Sequence, residues 1–440
     1  MLSFESIFLN LGLYFGIVIS GVIALISFQN IELRRVLNVC IFLGLVLRIF
    51  FIWYTPLYYS PDEEAHVAYI DYVQENRSLP IQQNIMGLDN NTYEFYQPPM
   101  YYVLSSSISF VGEKVFDADD SLRLIILRHF SLVMWLIGIL FVLRALENLG
   151  VSKLSSGIVM CFYTLLPTYI FSSVMVNNDN LSILWGSILF YMFTKGIMSY
   201  KSLLVGLILG LSFLTKINTV VFVFAVVSNI LLLIIRDRRE KSKVLSYLSY
   251  LCVTLFVFCV VISPFLWRNY VLYGSILAQH VANVRFVWVD MLEGLIRSTR
   301  NMVTTFWATS GGFNNLMPFP EIGIAVTSIA LLGLLFSRQV INTVQEKSFD
   351  LYNRKLLVVY SFSIAIVVNI VLIIRFGLLY NQAQGRFMFI LLVPLALLLG
   401  LGWQSFFQMK DNQKALLGVT CVFIVFAMWF TWFSVVSFPK

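Results

Sequence analysis

Residues 202–243 read SLLVGLILGLSFLTKINTVVFVFAVVSNILLLIIRDRREKSK, and this stretch decides the class of the protein. It contains two apolar segments, 202–215 and 217–235, which are separated by Lys216 and followed by a basic cluster from Arg236 to Lys243. A helix needs about 20 predominantly apolar residues to cross a bilayer core of about 30 Å. Apolar runs that end in short basic loops are typical of membrane spans whose loop faces the cytoplasm.

The rest of the sequence has the same character. Of its 440 residues, 59% are hydrophobic and 12% are charged, and the mean hydropathy is +0.83. Soluble domains are about half apolar and a quarter charged. No stretch alternates as a β-strand does, and the backbone in lipid must satisfy its own hydrogen bonds. We therefore predict an all-α polytopic membrane protein with about 12 transmembrane helices. The predicted spans are 7–27, 36–56, 126–146, 155–174, 181–198, 202–215, 217–235, 244–265, 320–337, 355–374, 387–406 and 414–434.

The basic residues fix the expected orientation. They recur in alternate short loops, which the positive-inside rule assigns to the cytoplasm. Both termini and two long segments, 57–125 and 266–319, are then expected outside. The first span, 7–27, has no basic region before it and no A-x-A cleavage site, so we expect it to be retained. We treat 1–440 as one transmembrane domain.

The two outer loops carry surface-helix patterns. In 57–125, apolar residues from Asp62 to Val73 recur at helical spacing, with Ser60 expected as the N-cap and Pro61 as the first helical residue. Residues 98–113 form a second short apolar segment opened by a proline pair. In 266–319, residues 281–303 mix charged and large apolar side chains, which predicts another surface helix.

Two features carry no functional signal. The net charge of +7 lies in short loops between spans, which predicts no nucleic-acid partner. The five cysteines lie in apolar stretches and are interpreted as small core residues, which predicts neither disulfides nor a metal site.

Acidic residues cluster on the predicted outer side. Asp62, Glu63 and His66 follow a span directly, and Asp62 and His66 are four residues apart, so they share a helix face. A partly desolvated carboxylate there suits general-base work, although acids at a helix start also favour the dipole. Asn178 and Asp179 stand between two later spans, where the plain alternative is an N-cap, with Asp179 or Asn180 starting the next helix.

Three cations fall on the same side. They are Lys216, Arg268 and Arg386, each at the end of an apolar stretch. Cations at a membrane interface either snorkel to water or bind an anion such as a lipid phosphate. Together with nearby carboxylates, they suit the transfer of a group from a lipid-phosphate carrier to an alcohol. Arg48 lies inside a span and is expected to pair with an acid or a carbonyl.

Six short motifs in this order resemble those of the GT-C superfamily of polyprenyl-phosphate-sugar-dependent glycosyltransferases, most closely the protein O-mannosyltransferases and the lipid A aminoarabinose transferases. The resemblance covers residues from about 36 to 406. The motifs are Pro61-Asp62-Glu63, Gln97-Pro98-Pro99-Met100-Tyr101-Tyr102, Asn178-Asp179, Leu214-Thr215-Lys216, Arg268-Asn269-Tyr270 and Gly385-Arg386-Phe387. In the second motif, Gln97 stands where the family has histidine.

The resemblance implies a GT-C-type fold and an inverting sugar transfer on the extracytoplasmic face, in a bacterial plasma membrane. Its implied partners are a polyprenyl-phosphate-linked sugar, a glycan, lipid or protein acceptor, and membrane lipids. Asp62 would be the general base, and Glu63 and Asp179 would orient it or shape the site. The substrate-binding residues would be His66, Asn178, Lys216, Arg268, Tyr270, Gln384 and Arg386. No cofactor is required, although the acids can recruit a divalent metal.

Two alternatives remain open at this stage. A lipid-linked glycan transporter or flippase would also present cations to the membrane, but it would not need a base in an outer loop. An O-antigen-type polymerase or ligase would show one large periplasmic loop dominated by arginine and histidine. Relative to the family, the sequence adds span 7–27 and has no large soluble C-terminal domain, so acceptor recognition is expected from the outer loops.

Overall fold

The computed structural model describes residues 33–82, 91–278, 290–309, 320–335 and 352–438, and these are mostly helical. The predicted span 7–27 lies outside the described residues. Fifteen α-helices are described, and three short 3₁₀ helices join or extend them. The α-helices are α1 (Leu33–Tyr54), α2 (Glu63–Asn76), α3 (Met100–Phe116), α4 (Asp120–Leu149), α5 (Lys153–Leu165), α6 (Pro167–Ser172), α7 (Asp179–Lys195), α8 (Ser202–Phe213), α9 (Val221–Arg236), α10 (Lys241–Tyr273), α11 (Met291–Trp307), α12 (Pro320–Leu335), α13 (Arg354–Tyr380), α14 (Leu392–Phe406) and α15 (Gln413–Ser437). The 3₁₀ helices are Ile197–Ser199, Ile217–Val220 and Gly385–Leu391.

The all-helical membrane architecture is confirmed. Each predicted span within the described residues coincides with a helical segment. By length and composition, seven helical segments in the described part of the chain can cross a membrane, and three shorter apolar helices accompany them at Lys153–Leu165, Ser202–Phe213 and Glu321–Leu335. The expected number of 12 is not confirmed by this count.

One predicted span is broken. Residues 155–174 were expected as a single helix, but α5 ends at Leu165 and α6 starts at Pro167. Proline has no N–H to continue the helical ladder, and its ring disfavours a helical residue before it. Leu166 is accordingly extended, with φ −64° and ψ 119°. The break leaves backbone carbonyl groups in the core without helical hydrogen bonds, so they need other donors.

Arg48 supplies those donors from inside α1. Its fully buried guanidinium donates to the carbonyls of Thr164 at 2.8 Å and Tyr163 at 3.5 Å, and to the Ser173 hydroxyl at 2.8 Å. It also lies over the Trp135 ring, 3.9 Å from its centroid. The carbonyl pairing expected for Arg48 is confirmed, and it ties α1 to the broken helix that leads to Asp179.

Small residues allow two helices to touch closely. Gly206 and Gly210 lie one turn apart on α8 and face α10. A Cβ on Gly206 would come within 2.5 Å of the Thr254 carbonyl oxygen, and one on Gly210 within 2.5 Å of a Val261 methyl group. Such close backbone approach is the usual packing of membrane helices. This close packing fixes the position of α8, whose end precedes Lys216 by three residues.

The helix order places the predicted site residues at one end of the bundle. Asp62 follows α1, Asp179 begins α7, Lys216 follows α8 and Arg386 follows α13. Three of these residues lie beyond the C-terminal ends of their helices and Asp179 lies at the N-terminal end of α7. All four line one pocket, so these ends meet on one side. The basic loops, such as the one from Arg236 to Lys243, lie at the opposite ends.

Candidate functional site

A polar pocket of about 500 Å³ opens at this end of the bundle. It brings together seven of the predicted site residues: Asp62, His66, Asn178, Asp179, Lys216, Gln384 and Arg386. They come from separate segments of the chain, and the structure adds a wall from the loop before α3. The pocket is therefore assembled by the tertiary fold.

Asp62 immediately precedes α2 and has an unusual backbone conformation. Its φ is 65°, in the left-handed region, and it occupies the N-cap position without a side-chain cap hydrogen bond. Ser60 was expected as the N-cap, and that boundary is wrong because the helix begins two residues later, at Glu63. Aspartate tolerates the left-handed region better than most residues. This conformation leaves the Asp62 carboxylate free to face the pocket.

Asp62 is paired with Arg386. The Arg386 Nη2 donates to Oδ2 of Asp62, and the Tyr93 hydroxyl donates to Oδ1 at 2.9 Å. Burial raises the pKa of Asp62, but the Arg386 guanidinium outweighs it, and the His66 ring and the hydrogen bonds from Arg386 and Tyr93 lower it further, to about 2. Asp62 is thus fully ionised at neutral pH.

A second acid–cation pair faces the first. Lys216 Nζ lies 2.5 Å from Oδ1 of Asp179, and the side chains are 13% and 7% exposed. Helix α7 starts at Asp179, as the N-cap alternative expected, but the N-cap position itself is held by Asn178. A near-buried pair of this kind depends on each partner, since removing one leaves an uncompensated charge.

His66 lies on the pocket wall as a neutral ring. Its Nδ1 is 2.8 Å from the Tyr102 hydroxyl. Burial lowers the pKa of His66 to about 4, although the Asp62 carboxylate opposes the shift. Between pH 5 and 8 the ring therefore serves as a hydrogen-bonding group and not as a charge.

Glu63 was expected to act beside Asp62, but the structure places it behind the pocket. Its carboxylate is fully buried and accepts two hydrogen bonds from Arg128, at 3.0 and 2.7 Å. It also accepts the backbone N–H of Val176 at 3.0 Å. Arg128 in turn donates to the carbonyls at the end of α1. Consecutive helix residues point in different directions, so only one of the two acids can face the site.

Arg268 and Tyr270 also lie apart from the pocket. The Arg268 guanidinium donates to the Pro80 carbonyl oxygen at 2.5 Å, and the Tyr270 ring is 56% exposed. Helix α10 continues to Tyr273, past the predicted end at residue 265. This longer helix carries both side chains away from the other site residues.

The sequence reasoning missed one carboxyl group, Glu94. It lies on the pocket wall between Tyr93 and Gln97, and its Oε2 is buried without a hydrogen-bond partner among the described residues. Burial, followed by the nearby Asp62 carboxylate, raises the pKa of Glu94 to about 8. The one feature of the sequence that pointed to Glu94 was its position three residues before Gln97. The Gln97 amide oxygen accepts a long hydrogen bond, 3.5 Å, from the Asn178 amide.

The remaining wall of the pocket is rich in amides and aromatic rings. The residues that contribute are Tyr96, Asn218, Phe376, Tyr380, Asn381, Gln382 and Phe387. Amide groups both donate and accept hydrogen bonds, and aromatic faces provide flat apolar contact. No group of three or more His, Cys, Asp or Glu side chains that could hold a metal ion occurs within the described ranges.

Comparisons with known proteins agree with this architecture. A family model described as dolichyl-phosphate-mannose-protein mannosyltransferase matches residues 114–267. Among solved structures, the apo oligosaccharyltransferase of Archaeoglobus fulgidus aligns with a TM-score of 0.56 and 13% identity, over 92% of this chain and 56% of that one. The same enzyme in complex with an inhibitory peptide and a dolichol-phosphate gives a TM-score of 0.52 and 13% identity, over 92% and 55%. A search of curated protein sequences finds no match.

The chain therefore has a fold of the GT-C class. Within that class, residues 114–267 are similar to the dolichyl-phosphate-mannose-protein mannosyltransferases, and the overall fold is similar to an archaeal oligosaccharyltransferase. The chain spans a little over half the length of the solved structures that it matches.

Proposed function

We propose that this protein transfers a sugar from a polyprenyl-phosphate carrier to an acceptor hydroxyl on the extracytoplasmic side of a bacterial plasma membrane, with inversion at the anomeric carbon. The observation that carries the proposal is the convergence of two acid–cation pairs, Asp62–Arg386 and Asp179–Lys216, on one pocket. The cations suit the donor phosphate, and a carboxylate suits activation of the acceptor.

The cations provide phosphate-binding capacity. Arg386 uses Nη2 for Asp62, while its Nε is buried without a partner among the described residues. Lys216 lies across the pocket and has two further donor hydrogens beyond the one directed at Asp179. A phosphate between them gains charge-assisted hydrogen bonds from both. It also draws Arg386 away from Asp62.

Asp62 is the base in this proposal. Competition by the donor phosphate for Arg386 weakens the contact that depresses the Asp62 pKa, so its basicity rises when the donor is bound. The carboxylate then takes the proton of the acceptor hydroxyl. The acceptor oxygen attacks the anomeric carbon from the side opposite the phosphate, and the carbon–oxygen bond to the phosphate breaks. The bonding electron pair leaves on the phosphate, where Lys216 and Arg386 stabilise its charge.

Glu63 and Arg128 act indirectly in this scheme. Glu63 is adjacent to Asp62 and holds the Val176 N–H of the segment that leads to Asn178 and Asp179. The buried pair therefore positions both acidic segments of the pocket without touching substrate. Asp179 orients Lys216, its direct partner.

An apolar groove of about 670 Å³ supports a lipid-linked donor. Its walls include three tryptophans, Trp307, Trp403 and Trp429. The end of α11 connects the groove to the site: Trp307 lines the groove, while the Thr305 hydroxyl accepts the Gly385 N–H at 2.6 Å, next to Arg386. A prenyl chain in the groove would lie close to a headgroup at Arg386.

The deciding experiment uses purified protein in lipid nanodiscs with a polyprenyl-phosphate sugar and a panel of glycan, lipid and peptide acceptors. We expect a glycosylated acceptor with inverted anomeric configuration, detected by mass spectrometry and NMR. Persistence of transfer in EDTA would show that no divalent metal is needed. Absence of transfer to every acceptor, together with movement of the donor across proteoliposomes, would favour the transporter. Growth of a glycan polymer would favour the polymerase or ligase.

A further inference from the structure

Glu94 is a carboxyl group of the pocket that has no role in the proposed transfer reaction. It resides on the loop before α3, next to Tyr93, whose hydroxyl donates to Asp62. Its Oε2 is buried and has no hydrogen-bond partner among the described residues. A buried polar atom without a partner costs free energy in the resting protein, and a ligand can recover that cost.

The charge balance of the pocket sets the protonation state of Glu94. Arg386 is engaged by Asp62, and Lys216 is engaged by Asp179. His66 is neutral near pH 7, since burial lowers its pKa to about 4. Glu94 is then a third carboxyl group with no cation of its own. A desolvated carboxyl group beside other carboxylates keeps its proton.

A bound phosphate further favours the protonated form of Glu94. The charged and titratable groups that share this part of the structure with Glu94 are Tyr93 and Tyr96 on its own loop, Asp62 before α2, His66 on α2, Tyr102 on α3, Asp179 on α7, Lys216 after α8, Tyr380 on α13 and Arg386. Two of these are cations and two are carboxylates. An anionic phosphate added beside an ionised Glu94 would meet direct repulsion, whereas a protonated Glu94 can donate its O–H to a phosphate oxygen.

We propose that Glu94 binds the donor as a neutral carboxylic acid, with its O–H donated to the lipid phosphate that Lys216 and Arg386 hold. This inference rests on the proposed function and extends it to the recognition of the donor. Glu94 keeps its proton throughout and transfers none. Donor binding and protonation of Glu94 are consequently linked, and each favours the other.

The linkage predicts how donor affinity changes with pH. The pKa of Glu94 is raised to about 8, so the group is neutral below that pH and ionised above it. The dissociation constant of a lipid phosphate should stay flat near pH 7 and then rise, by at most about tenfold per pH unit, above pH 8. The Asp62 carboxylate does not contribute to this change, because its pKa is lowered to about 2.

The test measures binding of farnesyl phosphate to the purified full chain by calorimetry between pH 7 and 9.5. The second ionisation of the phosphate, with a pKa of about 6, is about nine-tenths complete at pH 7 and essentially complete above pH 8. Glu94→Gln keeps a neutral donor at the same place, so it should bind close to wild type at pH 7 and lose the rise above pH 8. Glu94→Ala should weaken binding about tenfold or more at pH 7. Glu64→Gln is the matched control, since Glu64 is exposed and contacts Asn91 outside the pocket.

Three results would overturn the inference. One is Glu94→Gln binding as weakly as Glu94→Ala at pH 7, which would mean that Glu94 acts as an anion. Another is a wild-type dissociation constant that does not change up to pH 9.5. This measurement uses only the wild-type protein and so does not depend on the folding of a variant. In either case the proposed transfer reaction stands. The third, no binding of farnesyl phosphate by the wild type at pH 7, would overturn the lipid-phosphate donor as well.

Discussion

Replacing the Asp62 carboxylate with an amide tests the proposed base most directly. Asp62→Asn preserves the size of the side chain, and asparagine tolerates the left-handed backbone at φ 65° as aspartate does. An alanine at this position would add backbone strain of about 1–2 kcal/mol and confuse the result. The amide oxygen can still accept from Arg386 or Tyr93, but the basicity is lost.

The effects of Asp62→Asn on turnover and on stability can be estimated separately. General-base catalysis contributes roughly 10²–10⁴-fold, so turnover should fall by about that factor. The Arg386 and Asp62 side chains are 15% and 28% exposed, and the asparagine amide oxygen keeps a hydrogen bond from Arg386 in this half-buried pair. Thermal stability should therefore change little. The affinity for donor should hold or improve, because Arg386 is released to the phosphate.

The assay compares turnover and donor KM of Asp62→Asn with those of Asp71→Asn. Asp71 lies on the same helix, α2, and is ion-paired with Arg123, but it does not line the pocket. This control should keep wild-type turnover. Full activity in Asp62→Asn would remove Asp62 as the base and leave Asp179 as the pocket carboxylate to test next.

Other predictions separate orientation, phosphate binding and structural support. A cysteine introduced at Gln382 in a cysteine-free background should react with an impermeant thiol reagent in intact cells, and one at Glu240 should not; the reverse pattern would invert the topology. Arg386→Ala should raise the donor KM about tenfold to a hundredfold through loss of a charge-assisted contact. Arg268→Ala should leave that KM unchanged, since its guanidinium binds the Pro80 carbonyl outside the pocket, and an equal effect of the two would count against the assignment. Arg128→Ala should lower the free energy of unfolding by about 3–5 kcal/mol because its buried carboxylate partner loses its counterion, and a normal melting temperature would contradict the buried pair.

The fold was largely accessible from sequence because its signal is local. Each span is an apolar run bounded by polar or basic residues, and the bilayer sets its length. The break at Leu166–Pro167 was missed because proline is often tolerated inside membrane helices when neighbours satisfy the freed carbonyls. Here Arg48 satisfies them, and its reach across the bundle is not visible in the sequence.

The site was accessible only in part. Asp62, Asp179, Lys216 and Arg386 stood out because they interrupt apolar patterns at ends that share one side of the membrane. Their pairing was not predictable, since it depends on side-chain direction at helix ends. The same dependence explains the placement of Glu63 behind the pocket.

Glu94 was missed for a related reason. Its loop has no periodic pattern, and its proximity to Asp62 arises from how α2 and α3 pack. Arg268 was assigned to the site because the predicted span ended at residue 265, whereas α10 runs on to Tyr273 with Pro264 inside it. A helix boundary error of this size turns a side chain toward a different surface.

The pair Asp62–Arg386 joins residues that are 324 positions apart in the chain. During synthesis, Asp62 enters the membrane early, and Arg386 follows only when most of the protein has been made. An unfinished chain can hold the Asp179–Lys216 pair but has no second cation in the pocket. The pocket therefore gains its second cation, and with it the full set of charged side chains described above, only when the bundle is nearly complete.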